Sequence, residues 1–385
     1  MVASSSIDSA PASPNAVGHG NNAALDARSL RLGLVGPLPP PAGGMAMQTL
    51  QLARLLKEQG VTVDLIQSNA PYSPAVVANL WGLRALFRLL PYLWRVWRLA
   101  GRVQVIHLMA NSGWSWQLFA APVVWLGRLR GTPVIVNYRG GEAADYLRTS
   151  ARWVKPTIAR AACLAVPSGF LRQVFRDFGV EARIIPNVID LNVFRPPPRR
   201  DSHDTFTVVV TRNLEPIYAL DTALHALAIA RESRRGIRLQ IAGSGPQRAE
   251  LEELARDLGV ADAVSFLGRL DRTEIVELYW SADAALNPSR VDNMPNSILE
   301  ALACGVPVVS TNVGGVSFIV EHGRTALLVD RDDAQAMAAA ILQLCADPQL
   351  QSTLRARGLE EVQHYAWEQV RPLWLQLYRE VGAAV

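Results

Sequence analysis

Residues 284–310 read AALNPSRVDNMPNSILEALACGVPVVS, and the fold class follows from how this stretch divides. Ala284–Asn287 is a short apolar run that ends at Pro288. Asn293 is placed to cap a helix whose early Pro295 lacks only a donor that a first turn never uses. That helix runs to Cys304, where Gly305 stops it, and Val306–Ser310 is a second β-branched run. Strand, helix and strand within 27 residues make a crossover unit, the connection that joins parallel strands.

The same rhythm extends outward in both directions. Earlier runs at Leu32–Gly36, Val61–Ile66, Val105–Leu108, Val134–Asn137, Cys163–Val166 and Arg183–Ile185 alternate with helical stretches. The pattern restarts at Phe206–Val210 and continues through Leu239–Ala242, Val264–Leu267, Ala284–Asn287, Val306–Ser310 and Ala326–Val329. The class is therefore α/β, with two Rossmann-like halves. Between them lies the run Arg195 to Asp204, where Pro196, Pro197 and Pro198 precede a polar cluster that continues neither regular structure. These features predict a tail over 1–30, a first domain over 31–200 and a second over 201–365. Helices are predicted at about Asp333–Cys345, Pro348–Gln363 and Trp367–Val381. The last, within a segment 366–385 that needs a surface to cover, sets Trp367, Val370, Trp374, Leu377, Tyr378 and Val381 on one stripe.

Composition narrows the function. With 385 residues, half of them apolar and 19% charged, the chain can bury two cores and is not disordered throughout. Cys163, Cys304 and Cys345 are too few and too scattered for a disulfide framework, which points to a reducing compartment. The net charge of +4 does not favour nucleic acid as principal ligand, although a pI near 9.1 leaves room for local basic patches. The first 30 residues lack the basic start and apolar stretch of a secretory signal and read as a disordered tail. No run reaches the roughly 20 apolar residues needed to span a bilayer. The nearest, Val103 to Gly127, reads better as a strand followed by a buried helix.

Ligands of open α/β sheets bind beyond the carboxyl ends of the strands, so two such domains facing each other create a cleft. The helix start after Pro288 points free N–H groups and a partial positive charge there, which suits a phosphate or sugar phosphate. Asp292 precedes that start and can accept from hydroxyls, and Glu300 suits bidentate binding of vicinal ribose hydroxyls. The plainer alternative is an N-cap anion and an exposed helix Glu.

Asp292 and Glu300, eight positions apart and followed by Ala-Leu-Ala-Cys-Gly-Val-Pro-Val-Val, resemble the acidic pair of the retaining family 4 (group 1) glycosyltransferases of GT-B fold. The resemblance covers residues 31 to about 382. It includes Ile241-Ala242-Gly243-Ser244-Gly245-Pro246, Val264–Gly268 with Arg269, Ile185-Pro186-Asn187-Val188-Ile189-Asp190, and Thr311-Asn312-Val313-Gly314-Gly315. It implies two Rossmann-like domains facing each other across a donor-binding cleft, the first holding the acceptor and the second the nucleotide sugar. By resemblance Glu300 holds the ribose, Asp292 contacts the donor sugar, and the backbone at Asn293 and Met294 binds sugar hydroxyls. The first acid of the family is usually Glu; Asp292 is one methylene shorter, which fits a different donor sugar.

The family generally supplies an Arg and a Lys to the donor diphosphate from the first loop of the second domain. Here that loop reads Thr211-Arg212-Asn213-Leu214-Glu215-Pro216-Ile217-Tyr218, so Arg212 matches and the Lys is absent, with Arg290 or Tyr218 as substitutes. In the first domain, Pro39-Pro40-Pro41-Ala42-Gly43-Gly44 follows a strand and precedes a helix starting near Met45. Gly43 and Gly44 let backbone approach a ligand, and the resemblance sets that loop against the donor phosphates or reacting sugar; the alternative is an ordinary strand-to-helix turn. Arg139, in Asn137-Tyr138-Arg139-Gly140-Gly141-Glu142, occupies the place of a donor-contacting His in many relatives. It cannot relay a proton at neutral pH and acts by hydrogen bonding or charge. His107 is the nearest imidazole after a strand, with a structural role the more ordinary reading. Asp330-Arg331-Asp332 reads as capping acids at a helix start, and no Cys or His cluster has ligand spacing, so no metal or other cofactor is expected.

Within Asn79–Val103, Arg84, Arg88, Arg95, Arg98 and Arg102 share one helical face with no acid among them. Leu86, Leu89, Leu93 and Trp97 fall on the other side, with Trp81 and Trp94 toward the edges and Pro91 able to kink or divide the segment. This suits an anionic bilayer surface, and equally a helix packed on the first domain with a solvated Arg stripe. The first reading implies a lipid-linked sugar or nascent glycan as acceptor and a cytoplasmic protein at the inner face of the membrane.

The sequence thus points to transfer of a sugar from a nucleotide diphosphate donor to a glycan or lipid-linked hydroxyl, in surface polysaccharide or glycoconjugate assembly. Three rivals stand beside it: a nucleotide-sugar epimerase of the same architecture, a catalytically silent sugar-nucleotide-binding subunit, and a hydride-transfer enzyme. The last is weakened because neither Gly36–Pro41 nor Gly243–Pro246 completes Gly-x-Gly-x-x-Gly.

Overall fold

The computed structural model describes residues 30–40, 43–71, 84–198 and 205–383. All but one residue of the expected tail, Pro41 and Ala42 of the first loop, Asn79 to Leu83 with Trp81, and the 199–204 part of the seam lie outside them.

Among the described residues, twelve strands form two six-stranded sheets. The first contains β1 (Arg31–Gly36), β2 (Thr62–Gln67), β3 (Val105–Ala110), β4 (Val134–Tyr138), β5 (Cys163–Val166) and β6 (Arg183–Ile184), in the order β2-β1-β3-β4-β5-β6. The second contains β7 (Phe206–Thr211), β8 (Ile237–Ala242), β9 (Val264–Gly268), β10 (Ala284–Asn287), β11 (Val308–Thr311) and β12 (Leu327–Val329), in the order β12-β11-β10-β7-β8-β9. Every pairing is parallel. Parallel strands are covered on both faces, and β3, β4, β10 and β11 are buried at every position, which is why they read as continuous apolar runs.

Helices α2 (Arg84–Ala100), α3 (Ala121–Leu129), α4 (Ala143–Ile158) and α5 (Gly169–Asp177) cover one face of the first sheet. Its other face is covered by α1 (Gly44–Glu58) and α12 (Trp367–Gly382). On the second sheet, α6 (Leu220–Ser233), α7 (Arg248–Asp257) and α10 (Ala334–Ala346) share one core, which the following helix α11 (Pro348–Glu361) joins through Leu354. Helices α8 (Arg272–Trp280) and α9 (Asn296–Ala303) share the other. The architecture is the GT-B arrangement of two Rossmann-like domains.

The chain crosses between the domains twice, side by side. Ile189 of the outbound crossing pairs with Ala366 of the return, and its N–H donates to the Tyr365 carbonyl at 2.9 Å. After the return, α12 buries Trp367, Val370, Trp374, Leu377, Tyr378 and Val381, the stripe read from the sequence, in the core of the first domain. Trp374 stacks on Tyr378 and lies 4.4 Å from the His107 ring. His107 is fully buried, with Nδ1 2.7 Å from the Tyr378 hydroxyl and Nε2 3.0 Å from Asn137 Nδ2. Burial, then Arg139, pushes its pKa down to about 3, so this imidazole stays neutral and fastens α12 to β3 and β4.

Three expectations need correction. Helix α9 begins at Asn296 with Pro295 as its N-cap, three residues later than Asn293, because the Asn293 amide oxygen is taken by the Ser168 hydroxyl across the domain interface at 2.6 Å. Helix α2 runs unbroken through Pro91, and its inward face is Tyr92, Val96 and Leu99, whereas Trp97 is outward beside the arginines. Asp332 does not cap α10: Asp333 does, accepting from the Ala336 N–H at 2.8 Å, and Asp332 pairs with Arg290.

Replacing Trp374 with Ala removes a buried indole from the contact that returns the chain to the first domain. We expect Trp374→Ala to lower the unfolding free energy by about 3–5 kcal/mol, measured by urea denaturation, with the fluorescence loss tracking the first domain.

Candidate functional site

The strand orders fix where a ligand can go. In the first sheet the chain reverses its direction of winding between β1 and β3, and in the second between β7 and β10. Loops leaving such neighbours diverge to opposite faces and leave a crevice at the carboxyl ends of the strands. The loops after β1 and β3 supply Gly43, Gly44, Asn111 and Ser112; those after β7 and β10 supply Arg212, Tyr218 and Asp292. All seven line the same interdomain cleft.

Arg212 is held from three sides. Its Nε and Nη2 donate to the Asn287 amide oxygen at 3.0 and 2.8 Å, and Nη2 also pairs with Asp292. Asn287 is itself oriented, since its amide N–H donates to the Ser310 hydroxyl at 3.0 Å. Both charged side chains are only 12% exposed, and the guanidinium carbon lies 5.1 Å from the Tyr218 ring centroid. Burial raises the Asp292 pKa above the ordinary carboxyl range, while Arg212 and the Asn293 N–H, 2.8 Å away, oppose that shift. The loop after β8 can lie against this one only because positions 243 and 245 are glycine. A Cβ on Gly243 meets the Arg212 carbonyl, and one on Gly245 the Leu214 carbonyl.

Two cavities meet at Arg212. One, of about 250 Å³, is lined by Thr211, Gly243, Arg269, Arg272, Ser297 and Glu300 among others. The other, of about 590 Å³, is lined by Arg139, Glu142, Asp292, Asn293, Met294 and residues of the first-domain loops. Gly43, Gly44, Arg212, Tyr218 and Asn296 border both. Helices α1 and α9 start at this border without a side-chain cap, so their first N–H groups and positive dipole ends are available to an anion. In the smaller cavity, burial raises the Glu300 carboxyl to about 7 despite Arg212 and the Tyr279 hydroxyl, which donates to it at 3.4 Å. In the larger, Arg139 donates to the Asn187 amide oxygen, and burial lowers its pKa to about 10.

The structure thus gathers Asp292, Arg212, Arg139, Gly43, Gly44, Gly243, Arg269, Asn293, Met294 and Glu300 around one cleft. Gly245 lies beneath it as a packing position. Arg290 is directed elsewhere: its guanidinium pairs with Asp221 at 2.7 Å and Asp332 at 2.6 Å and donates to the Pro216 carbonyl at 2.7 Å, pinning the loop that carries Tyr218. Those acids are 69 and 42 residues distant, so the sequence around Arg290 gave no sign of them. The sequence reading also passed over Arg272, in the first turn of α8, which lines the smaller cavity and pairs with Asp190 at 3.2 Å. Its position shortly after β9 was the available signal.

The family model described as Glycosyltransferase Family 4 matches residues 42–193, and the one described as Glycosyl transferases group 1 matches 205–347. A D-inositol 3-phosphate glycosyltransferase of Rhodococcus jostii is 32% identical over 225 residues, 54% of this chain and 50% of that protein. The same enzyme from Corynebacterium urealyticum is 38% identical over 140 residues, 36% of this chain and 33% of that one. The chain spans about half the length or less of these curated relatives. Among solved structures, sucrose-phosphate synthase from Thermosynechococcus elongatus superposes with a TM-score of 0.76 at 24% identity, covering 92% of this chain and 100% of that one. Anabaena HepE in complex with UDP superposes with a TM-score of 0.72 at 19% identity, covering 90% and 99%. These likenesses show the fold.

Glu300 also sets a stability balance. With a folded pKa near 7 against 4.5 unfolded, the folded state holds an extra proton between those values, so this group's contribution to stability falls as pH rises through that window. Glu300→Gln removes the buried charge. Its melting temperature is expected to exceed the parent's by about 2–4 °C at pH 8 and to match it near pH 4.5, measured by scanning fluorimetry.

Proposed function

The chain belongs to the family 4, group 1 glycosyltransferases, and from that premise we propose that it transfers a sugar from a nucleotide diphosphate donor to a hydroxyl, with the anomeric configuration retained. The observation that carries this reading is the position of Arg212, a fixed cation at the junction of two cavities that each present a carboxylate. A donor has the same order of parts: ribose, diphosphate, sugar. On this reading the nucleoside occupies the smaller cavity with Glu300 accepting from the ribose hydroxyls, the diphosphate lies over Arg212 and the starts of α1 and α9, and the sugar meets Asp292, Asn293 and Met294. The HepE structures with UDP and with UDP-glucose make uridine donors the first to test.

In the step itself, the acceptor oxygen attacks the anomeric carbon from the face the diphosphate leaves. The glycosidic C–O bond breaks with its electron pair going to the diphosphate, and the acceptor proton passes to a departing phosphate oxygen. No enzyme nucleophile or metal takes part. Charge-assisted bonds to the leaving group are each worth about 1.5–3 kcal/mol, so Arg212 and the two helix starts supply the main stabilisation. The family's second cation is missing from the loop after β7. Arg139 fills that need, because it lines the sugar cavity and its side chain is held by a neutral amide. The acceptor is a glycan or lipid-linked hydroxyl, used in surface polysaccharide or glycoconjugate assembly at the inner face of the cell membrane.

Incubation with a panel of nucleotide sugars tests this reading. We expect donor turnover with one class, an anomeric configuration unchanged by NMR, and a 10²–10³-fold lower kcat for Arg212→Ala, roughly 3–4 kcal/mol of lost transition-state stabilisation. Isomerised donor without transfer indicates the epimerase alternative, binding without turnover a silent subunit, and an inverted product contradicts retention.

A further inference from the structure

Between Asp64 and Glu142 the sequence holds eight arginines and no aspartate, glutamate or lysine, while the whole chain carries a net charge of only +4. Most of this cationic excess lies on the helices outside the first sheet. Helices α2, α3 and α4 lie side by side there, with α3 tied to α4 by the Trp125 indole N–H, which donates to Thr157 at 3.2 Å. The outer face of this layer is unusually apolar. Trp94 is 58% exposed, Leu129 71% and Trp153 62%, and Phe87, Leu90, Trp97 and Trp125 are also exposed.

Each outward tryptophan carries an arginine. The guanidinium carbon of Arg98 lies 4.6 Å from the Trp94 ring centroid, Arg130 4.7 Å from Trp97, Arg160 4.2 Å from Trp125 and Arg152 5.1 Å from Trp153. Indoles in water lose the apolar contact they could make, and a layer of like charges repels itself. Both costs are relieved at one kind of surface: rings at the headgroup level, guanidinium groups on anionic phosphates.

We propose that the outer face of α2, α3 and α4 docks on an anionic lipid bilayer. This specifies the surface behind the membrane-side placement above and stands independently of sugar transfer. The occupant is a membrane and not a protein groove because the residues spread over three helices whose charged groups are cationic apart from Asp145 at the start of α4, which pairs with Arg148. No described helix is long and apolar enough to cross a membrane, so the contact is interfacial. A third cavity, of about 280 Å³, lies on the inner side of α2 and borders the cleft. Its walls include Tyr92 of α2, Trp114 and Phe119, and it shares Pro37, Met45 and Asn69 with the larger cleft cavity.

The test is flotation of the full chain with phosphatidylcholine vesicles, with and without phosphatidylglycerol, at low and high salt. We expect binding to the anionic vesicles only, weakened by salt. Two separate pairs, Arg95→Glu with Arg98→Glu and Trp94→Ala with Trp153→Ala, are each expected to reduce vesicle partitioning about tenfold or more while nucleotide-sugar turnover in solution is unchanged. Arg256→Glu, on the second domain, is expected to bind as the parent does. Absence of binding by the parent, equal binding to neutral vesicles, retention of binding in both pairs, or equal loss in the Arg256 variant would overturn the proposal. So would self-association abolished by the same substitutions without vesicle binding, which assigns the face to a second copy.

Discussion

A guanidinium removed from most of its water and held in one place must have its charge answered, and around Arg212 a neutral amide and a carboxylate do so. Asn287 orients the group through two hydrogen bonds, and Asp292 pairs with it from the next loop at the winding reversal of the second sheet. The second partner is held there at a cost. Burial raises the Asp292 pKa against the pull of Arg212, so desolvation of this carboxylate outweighs its pairing. A ligand that brings its own negative charge can replace Asp292 on the cation and free that carboxylate for hydroxyl groups.

That exchange needs the opposing domain at a fixed distance, and polar contacts across the cleft set it. Asn187, on the crossing segment, donates to the Asn296 side chain at 2.8 Å and to the Met294 carbonyl at 3.1 Å, while its own amide oxygen accepts from Arg139. Gln48 of α1 reaches the Val188 carbonyl at 3.0 Å. Asp190 is clamped by Arg54 from one domain and Arg272 from the other. With α12 returned over the first sheet, both crossings are anchored, and the residues gathered at the cleft come from loops of both domains.

Much of this was legible in the chain. Parallel strands buried on both faces leave a strong signal, so all twelve were located within about two residues at each end, and the stripe of α12 was read residue for residue. The spacing of Asp292 and Glu300 gave two walls of the site. Other features depended on distant partners. Arg290 looked like a donor ligand until Asp221 and Asp332 claimed it; Asn293 looked like a helix cap until Ser168 did. In α2, periodicity separated apolar from basic positions, yet the sheet took Tyr92, Val96 and Leu99 and left Trp94 and Trp97 outside among the arginines. Local pattern states what a residue can do, and tertiary contact decides which option remains.

The most direct measurement is a crystal structure of the protein with a non-hydrolysable nucleotide-diphosphate sugar. If Arg212 organises the site, the two phosphates lie on its guanidinium at the junction of the cavities, the pair with Asp292 is broken, and the ribose hydroxyls face Glu300. A ligand bound outside the interdomain cleft, or one bound inside it while Arg212 remains paired with Asp292 and untouched by phosphate, contradicts that view.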